Sequence, residues 1–168
     1  MMLRKGGRQG FSLVELVVVI VIIGILAAIA IPRLSRGASG AGQSAVKANL
    51  AALRSAIAMY AAEHNNTFPG PDAAGFVSKL TKYTDIEGNT SDTKTQTHVY
   101  GPYLLKIPPC PVGENAGKTT ASEVLVVTSS PPEPNPAGGQ GWVYNATTGE
   151  ILPNTAKADE QGVPYTSY

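Results

Sequence analysis

The 168-residue chain has room for one small domain and an anchor, and its single cysteine, Cys110, excludes an intramolecular disulfide. The net charge of +1 conceals an uneven layout: Arg4, Lys5 and Arg8 all precede Phe11 with no acid among them. Without residues 1–10 the remainder carries about −2, and nothing in it forms the clustered basic face that a nucleic-acid partner would need.

Residues 11–31 read FSLVELVVVIVIIGILAAIAI, with Glu15 their only charge. As a helix this run is about 31 Å long, against a bilayer hydrocarbon core of about 30 Å, so it can cross a membrane once. Positive charge before the run, and none of either sign between Glu15 and Arg33, place the N-terminus in the cytoplasm and the rest of the chain outside. Ala27, Ala28 and Ala30 imitate a conventional secretory cleavage site, but the apolar run is long for a signal peptide and Pro32 and Arg33 follow it directly.

Glu15 is the anomaly in this segment, because an acid in an apolar span costs about 2.5–3.5 kcal/mol on insertion scales and more when fully desolvated. Two readings stand. Glu15 lies close enough to the interface to stay hydrated, or it pairs with a cation from another subunit. If the chain is cut before Phe11, the new α-amino group is such a cation, about one helical turn from Glu15 in its own chain and within reach of a neighbour's.

The run Gly10-Phe11-Ser12-Leu13-Val14-Glu15-Leu16, behind a short basic leader and ahead of an unbroken apolar stretch, resembles the class III signal of type IV pilins and type II secretion pseudopilins. Counted from Phe11, Glu15 is the fifth residue and Pro32 the twenty-second. The resemblance implies that a prepilin peptidase cleaves between Gly10 and Phe11, that Phe11 is N-methylated, and that Glu15 neutralises the N-terminus of an adjacent subunit during assembly. It also implies a homo-oligomeric filament, an inner-membrane assembly platform, and minor pilins or pseudopilins as partners.

Pro32 lacks an amide hydrogen, so a helix through it loses the bond to Ala28 and bends or opens. Gly37, Gly40 and Gly42 then suggest a loose joint. Beyond it, Val46, Leu50, Leu53, Ile57 and Tyr60 recur at spacings of 4, 3, 4 and 3, the stripe of an amphipathic helix over residues 43–64. Asn65-Asn66 ends that helix, and Asp72 is a cap for a short helix through Phe76, Val77 and Leu80. Residues 85–98 read as a polar surface loop, and Tyr100 onwards, hemmed in by Pro102, Pro108 and Pro109, as irregular or edge structure. Residues 124–127, 141–145 and 150–152 are strands, the last two a hairpin, in a small antiparallel sheet against the 43–64 helix.

The expected fold is therefore α+β and pilin-like: a leader at 1–10, a transmembrane and filament-core helix at 11–34, and a globular head at 43–168. The passages MYAAEHNNTFP, GPYLLKIPPCP and GWVYNATTGEI extend the resemblance to major pseudopilins less sharply. Many major pseudopilins bind calcium in a C-terminal loop, but Asp159 and Glu160 are the acids near this chain's end and no ligand set maps onto them. No cofactor or metal is expected from the residues themselves: His64, His98 and Cys110 lack zinc-site spacing, and there is no nucleophile elbow or phosphate-cradling loop. Both histidines read as solvent-exposed, Cys110 as buried, and Tyr100, Tyr103, Trp142 and Tyr144 as core.

The function these readings support is a non-enzymatic structural subunit of a type II secretion pseudopilus, single-pass in the inner membrane before assembly. Within the class, the alternative is a type IV pilin serving adhesion, motility or DNA uptake. Outside it, the alternative is a membrane-anchored binding protein that keeps its leader.

Overall fold

The computed structural model describes residues 11–168 and, within its first helix, the side chains outside residues 32–39. The leader and Gly10 lie outside the described residues. The chain forms two compact units that divide between Ala38 and Ser39. The architecture is α+β as expected, with helix α1 over Leu13–Glu63, helix α2 over Ala73–Thr81 and five short strands.

The first unit holds the N-terminal part of α1. Its valines and isoleucines are mediocre helix formers in water, but in hydrocarbon every backbone amide must find its partner within the segment, and a helix does this. Pro32 and the glycines at 37, 40 and 42 all lie in helical backbone. A glycine in a helix costs only about 1 kcal/mol, and near the start of the second unit the Ser44 hydroxyl donates to the Gly40 carbonyl at 3.0 Å.

In the second unit the predicted stripe is the core-facing side of α1: Val46, Leu50, Leu53, Ile57 and Tyr60 are each at most 2% exposed. They pack with Phe76, Leu80, Trp142, Tyr144 and Ile151, each such burial contributing about 1.5–3 kcal/mol. The helix stops where Asn65 and Asn66 take left-handed φ values of 53° and 61° and the Asn66 amide donates to Ala61. Helix α2 begins as predicted, Asp72 Oδ1 accepting from the Gly75 amide at 2.7 Å.

Two features differ from expectation. The 85–98 stretch is not wholly loop, because β1 (Tyr83–Thr84) pairs antiparallel with β2 (Thr90–Ser91) around a turn at residues 85–89. These residues are too few and too polar to show an alternating pattern, and what holds the turn is Asp85, whose Oδ1 accepts from the Asn89 amide. In the three-stranded sheet, β4 (Trp142–Asn145) and β5 (Ile151–Pro153) form the predicted antiparallel hairpin, but β3 (Val124–Val127) runs parallel to β4, with Val124 opposite Trp142. The sheet is mixed rather than antiparallel. A parallel pair needs a crossover of a dozen or more residues, and the proline-rich stretch at 128–141 supplies it, with a 3-10 turn at Pro136–Gly138.

Gly141, at the entrance to β4, is required by space: a Cβ there would lie 2.0 Å from the Ala121 carbonyl oxygen and 2.9 Å from Cys110 Cβ. The C-terminal residues fold back on α1. Arg54 Nη2 donates to the Tyr168 carbonyl at 2.8 Å, and Lys47 Nζ lies 4.4 Å from the Tyr168 ring centroid.

Candidate functional site

The candidate site is the outer surface of the first unit. From Leu13 to Ile31 the helix is long and apolar enough to cross a membrane. Its large side chains are exposed on every side, from Val17 at 43% to Leu13 at 78%. A helix that is apolar all round belongs in lipid or in the core of an assembly, since water gives it no face to rest on. Phe11, just before the helix, is 81% exposed. The first helical hydrogen bond runs from the Leu16 amide to the Ser12 carbonyl at 3.1 Å.

Glu15 sits in the first turn of α1 and is exposed. There its negative charge complements the positive end of the helix macrodipole, worth about 0.3–1 kcal/mol at a surface. That leaves most of the cost of immersing a carboxylate in hydrocarbon unmet. The segment thus presents lipid-compatible surface and one carboxylate, and no pair of groups suited to acid–base or nucleophilic chemistry.

The side chains considered for other chemistry are held in the head. His64, expected to be exposed, is 2% exposed. Four residues after Tyr60, it lies on the buried stripe, stacks on the Tyr60 ring with centroids 3.8 Å apart, and is covered edge-on by Tyr100 at 5.3 Å. Its Nδ1 is 2.8 Å from the Tyr60 carbonyl, which only accepts, so Nδ1 carries the proton. His98 is likewise partly covered, its Nε2 4.0 Å from Asp85 Oδ2. Cys110 is buried as expected, and burial pushes its thiol pKa up, away from thiolate reactivity. Trp142 and Tyr144 are core residues, their polar ends satisfied by the carbonyls of Pro108 and Pro69, each at 2.8 Å.

Asp159, near the end of the chain, is held within its own loop. Its Oδ1 accepts from the Gln161 and Val163 amides at 2.9 Å, and its Oδ2 from the Tyr168 hydroxyl. The bond from Tyr168 holds the carboxyl below the usual range and, reciprocally, pushes the phenol up to about 12. Both oxygens of Asp159 are thus engaged by donors of its own chain. Among the described residues no three His, Cys, Asp or Glu side chains come together as metal ligands would. The Asp159 tie to Tyr168 escaped sequence reasoning; its one local sign is the turn spacing of Asp159 and Gly162, whose φ is 81°.

The family model described as the prokaryotic N-terminal methylation motif matches residues 5–31. That stretch is the class III prepilin signal of the kind carried by type IV pilins and pseudopilins. Signals of this class direct processing by prepilin peptidase and pilus-type assembly, and the proteins that carry them are in general structural rather than enzymatic. The matched residues include the apolar helix, which suits a single-pass membrane anchor. No curated protein and no solved structure matches the chain.

Proposed function

We propose that this protein is a structural subunit of a type II secretion pseudopilus. Removal of residues 1–10 between Gly10 and Phe11 frees the Phe11 amine, which is then N-methylated. Residues 11–34 anchor the subunit in the inner membrane, with the head, residues 43–168, in the periplasm. On assembly the apolar helices leave lipid for one another, and Glu15 meets the N-terminal amine of an adjacent subunit, so the charge that costs most in hydrocarbon sets the register. Pro32 bends the helix where it leaves the bundle.

One observation carries this reading: a helix exposed and apolar on every side, with a lone carboxylate in its first turn. Such a helix needs both a solvent and a counter-charge, and a bundle of identical cleaved chains supplies both. The preference for a pseudopilus over a pilus rests on the head, whose C-terminal part is tied down by Arg54, Lys47 and Asp159 rather than by a disulfide.

The test is complementation of a deletion strain with the wild-type chain or Glu15→Leu. The wild type restores release of secreted enzymes into the medium, whereas Glu15→Leu leaves them in the periplasm while the subunit stays in the membrane fraction. Normal secretion together with loss of sheared surface filaments would transfer the protein to the type IV pili. Full activity of Glu15→Leu with an uncut leader would leave a membrane-anchored binding protein.

A further inference from the structure

The head contains the tripeptide pattern Asn-x-Ser/Thr, with x not proline, at Asn65, Asn89 and Asn145. This is the acceptor pattern for N-linked glycans on exported proteins, since the hydroxyl two residues on helps present the asparagine amide. The fold separates the three. Asn145 is 1% exposed, its Nδ2 donating to the Ser129 carbonyl at 2.6 Å and its Oδ1 accepting from the Thr147 amide at 2.7 Å. It is sealed into the end of β4. Asn65 is exposed, but the backbone of its pattern closes α1: Asn65 and Asn66 are left-handed, and the Asn66 and Thr67 amides donate to Ala61 and His64. A transferase would have to unwind the helix end to thread it.

Asn89 is neither sealed in the core nor part of a helix end. It ends the turn between β1 and β2, Asn89 and Thr90 are both exposed, and Thr90 and Ser91 are already extended in β2. The turn is anchored on its inner side, where Gly88, at a φ of +81°, packs so closely that a Cβ would lie 2.5 Å from the Tyr60 hydroxyl. Asn89 itself points away from the core, held by Asp85, whose Oδ2 accepts from Asn89 Nδ2 at 2.8 Å. Presenting Asn89 releases this bond and the one from its amide to Asp85 Oδ1, and frees the Ser91 hydroxyl from the Thr93 carbonyl, all of them exposed contacts. A carboxylate, Glu87, lies exposed two residues before the acceptor, as Glu63 does before Asn65, whereas Asn145 has Val143 in that place.

We infer that Asn89 is an N-glycosylation site, taking an oligosaccharide from a polyprenyl-diphosphate-linked donor at the outer face of the membrane. In the transfer Asn89 Nδ2 attacks C1 of the donor's first sugar. The N–C1 bond forms, the C1–O bond to the diphosphate breaks with its electron pair leaving on the diphosphate, and the amide proton passes to a base of the transferase. No oxidant or reductant is involved. The inference rests on the outward orientation of the head proposed above.

The test is mass mapping of the full chain purified from membranes of its own cells. Trypsin cuts after Lys82 and Lys94, releasing residues 83–94 with Asn89 inside. That peptide is expected to carry a glycan increment and sugar oxonium ions, which vanish in Asn89→Gln and in Ser91→Ala and persist in Ser91→Thr and Asn145→Gln. An increment that survives Asn89→Gln sits on a hydroxyl and overturns the inference. A bare peptide overturns it as well, and the N-terminus of the same sample says what else has failed: a start at Phe11 leaves the prepilin reading intact, and a start within the leader removes both.

Discussion

The two stretches of α1 are built from the same kinds of apolar residue and meet opposite fates. Along residues 13–31 those residues occupy every side and all are exposed. Along residues 46–60 the large ones, Met59 apart, are confined to one stripe and buried. The difference teaches where each stretch finds its stability: the second within its own chain, the first in an apolar surrounding that the chain must be given. Substitutions in the two stretches should therefore fail in different assays.

The largest effect is expected in the head. Leu53→Ala empties a fully buried position and should cost about 2–5 kcal/mol. It is read from denaturation of the full chain in detergent, followed by the fluorescence of Trp142, the chain's single tryptophan and itself fully buried. Membrane retention should not change. The mirror experiment is Ile22→Lys in the first stretch, which should weaken membrane insertion by about 2.5–3.5 kcal/mol, measured by carbonate extraction, with head unfolding unaltered. If either substitution moved the other's readout comparably, the separation of the two stretches would be wrong.

How far these features were legible in sequence follows from the range of the forces behind them. The stripe at Val46 to Tyr60, the Asp72 cap and the β4–β5 hairpin depend on neighbours a few residues away, and spacing alone revealed them. The direction of β3 depends on the course of residues 128–141, which no local pattern encodes. His64 was misread because its burial comes from Tyr100, which closes over it from a segment without regular structure. The anchor was legible as a span with an acid in it, through hydropathy and the position of Glu15. A counter-charge for that acid is part of the proposal above, and one chain's sequence only points to the need for it.

Smaller effects sharpen the picture of the head. Asp72→Ala removes the bond to the Gly75 amide and should cost about 1 kcal/mol, by the same Trp142 unfolding curve, without touching filament formation. The smallest effect belongs to the half-buried tie between Asp159 and Tyr168. Asp159 has a depressed pKa in the fold, so its contribution is present above the ordinary value of 3.8 and is lost as pH falls through the folded value. Tyr168 has a raised pKa, so its contribution is present below 10.0 and is lost as pH rises towards about 12. Asp159→Asn should remove the acid-side loss and Tyr168→Phe the alkaline-side loss, each taken as the difference from wild type in unfolding midpoint against pH.

The central claim is that the apolar stretch is the mature N-terminus of an assembling subunit, and intact mass with N-terminal sequencing of the protein from its own membranes tests it most directly. A chain beginning at N-methylated Phe11 is the predicted result, and it supplies the amine that Glu15 is to meet. A chain that still begins at Met1 or Met2 would contradict the account, leaving Glu15 without its counter-charge and the helix as a plain anchor.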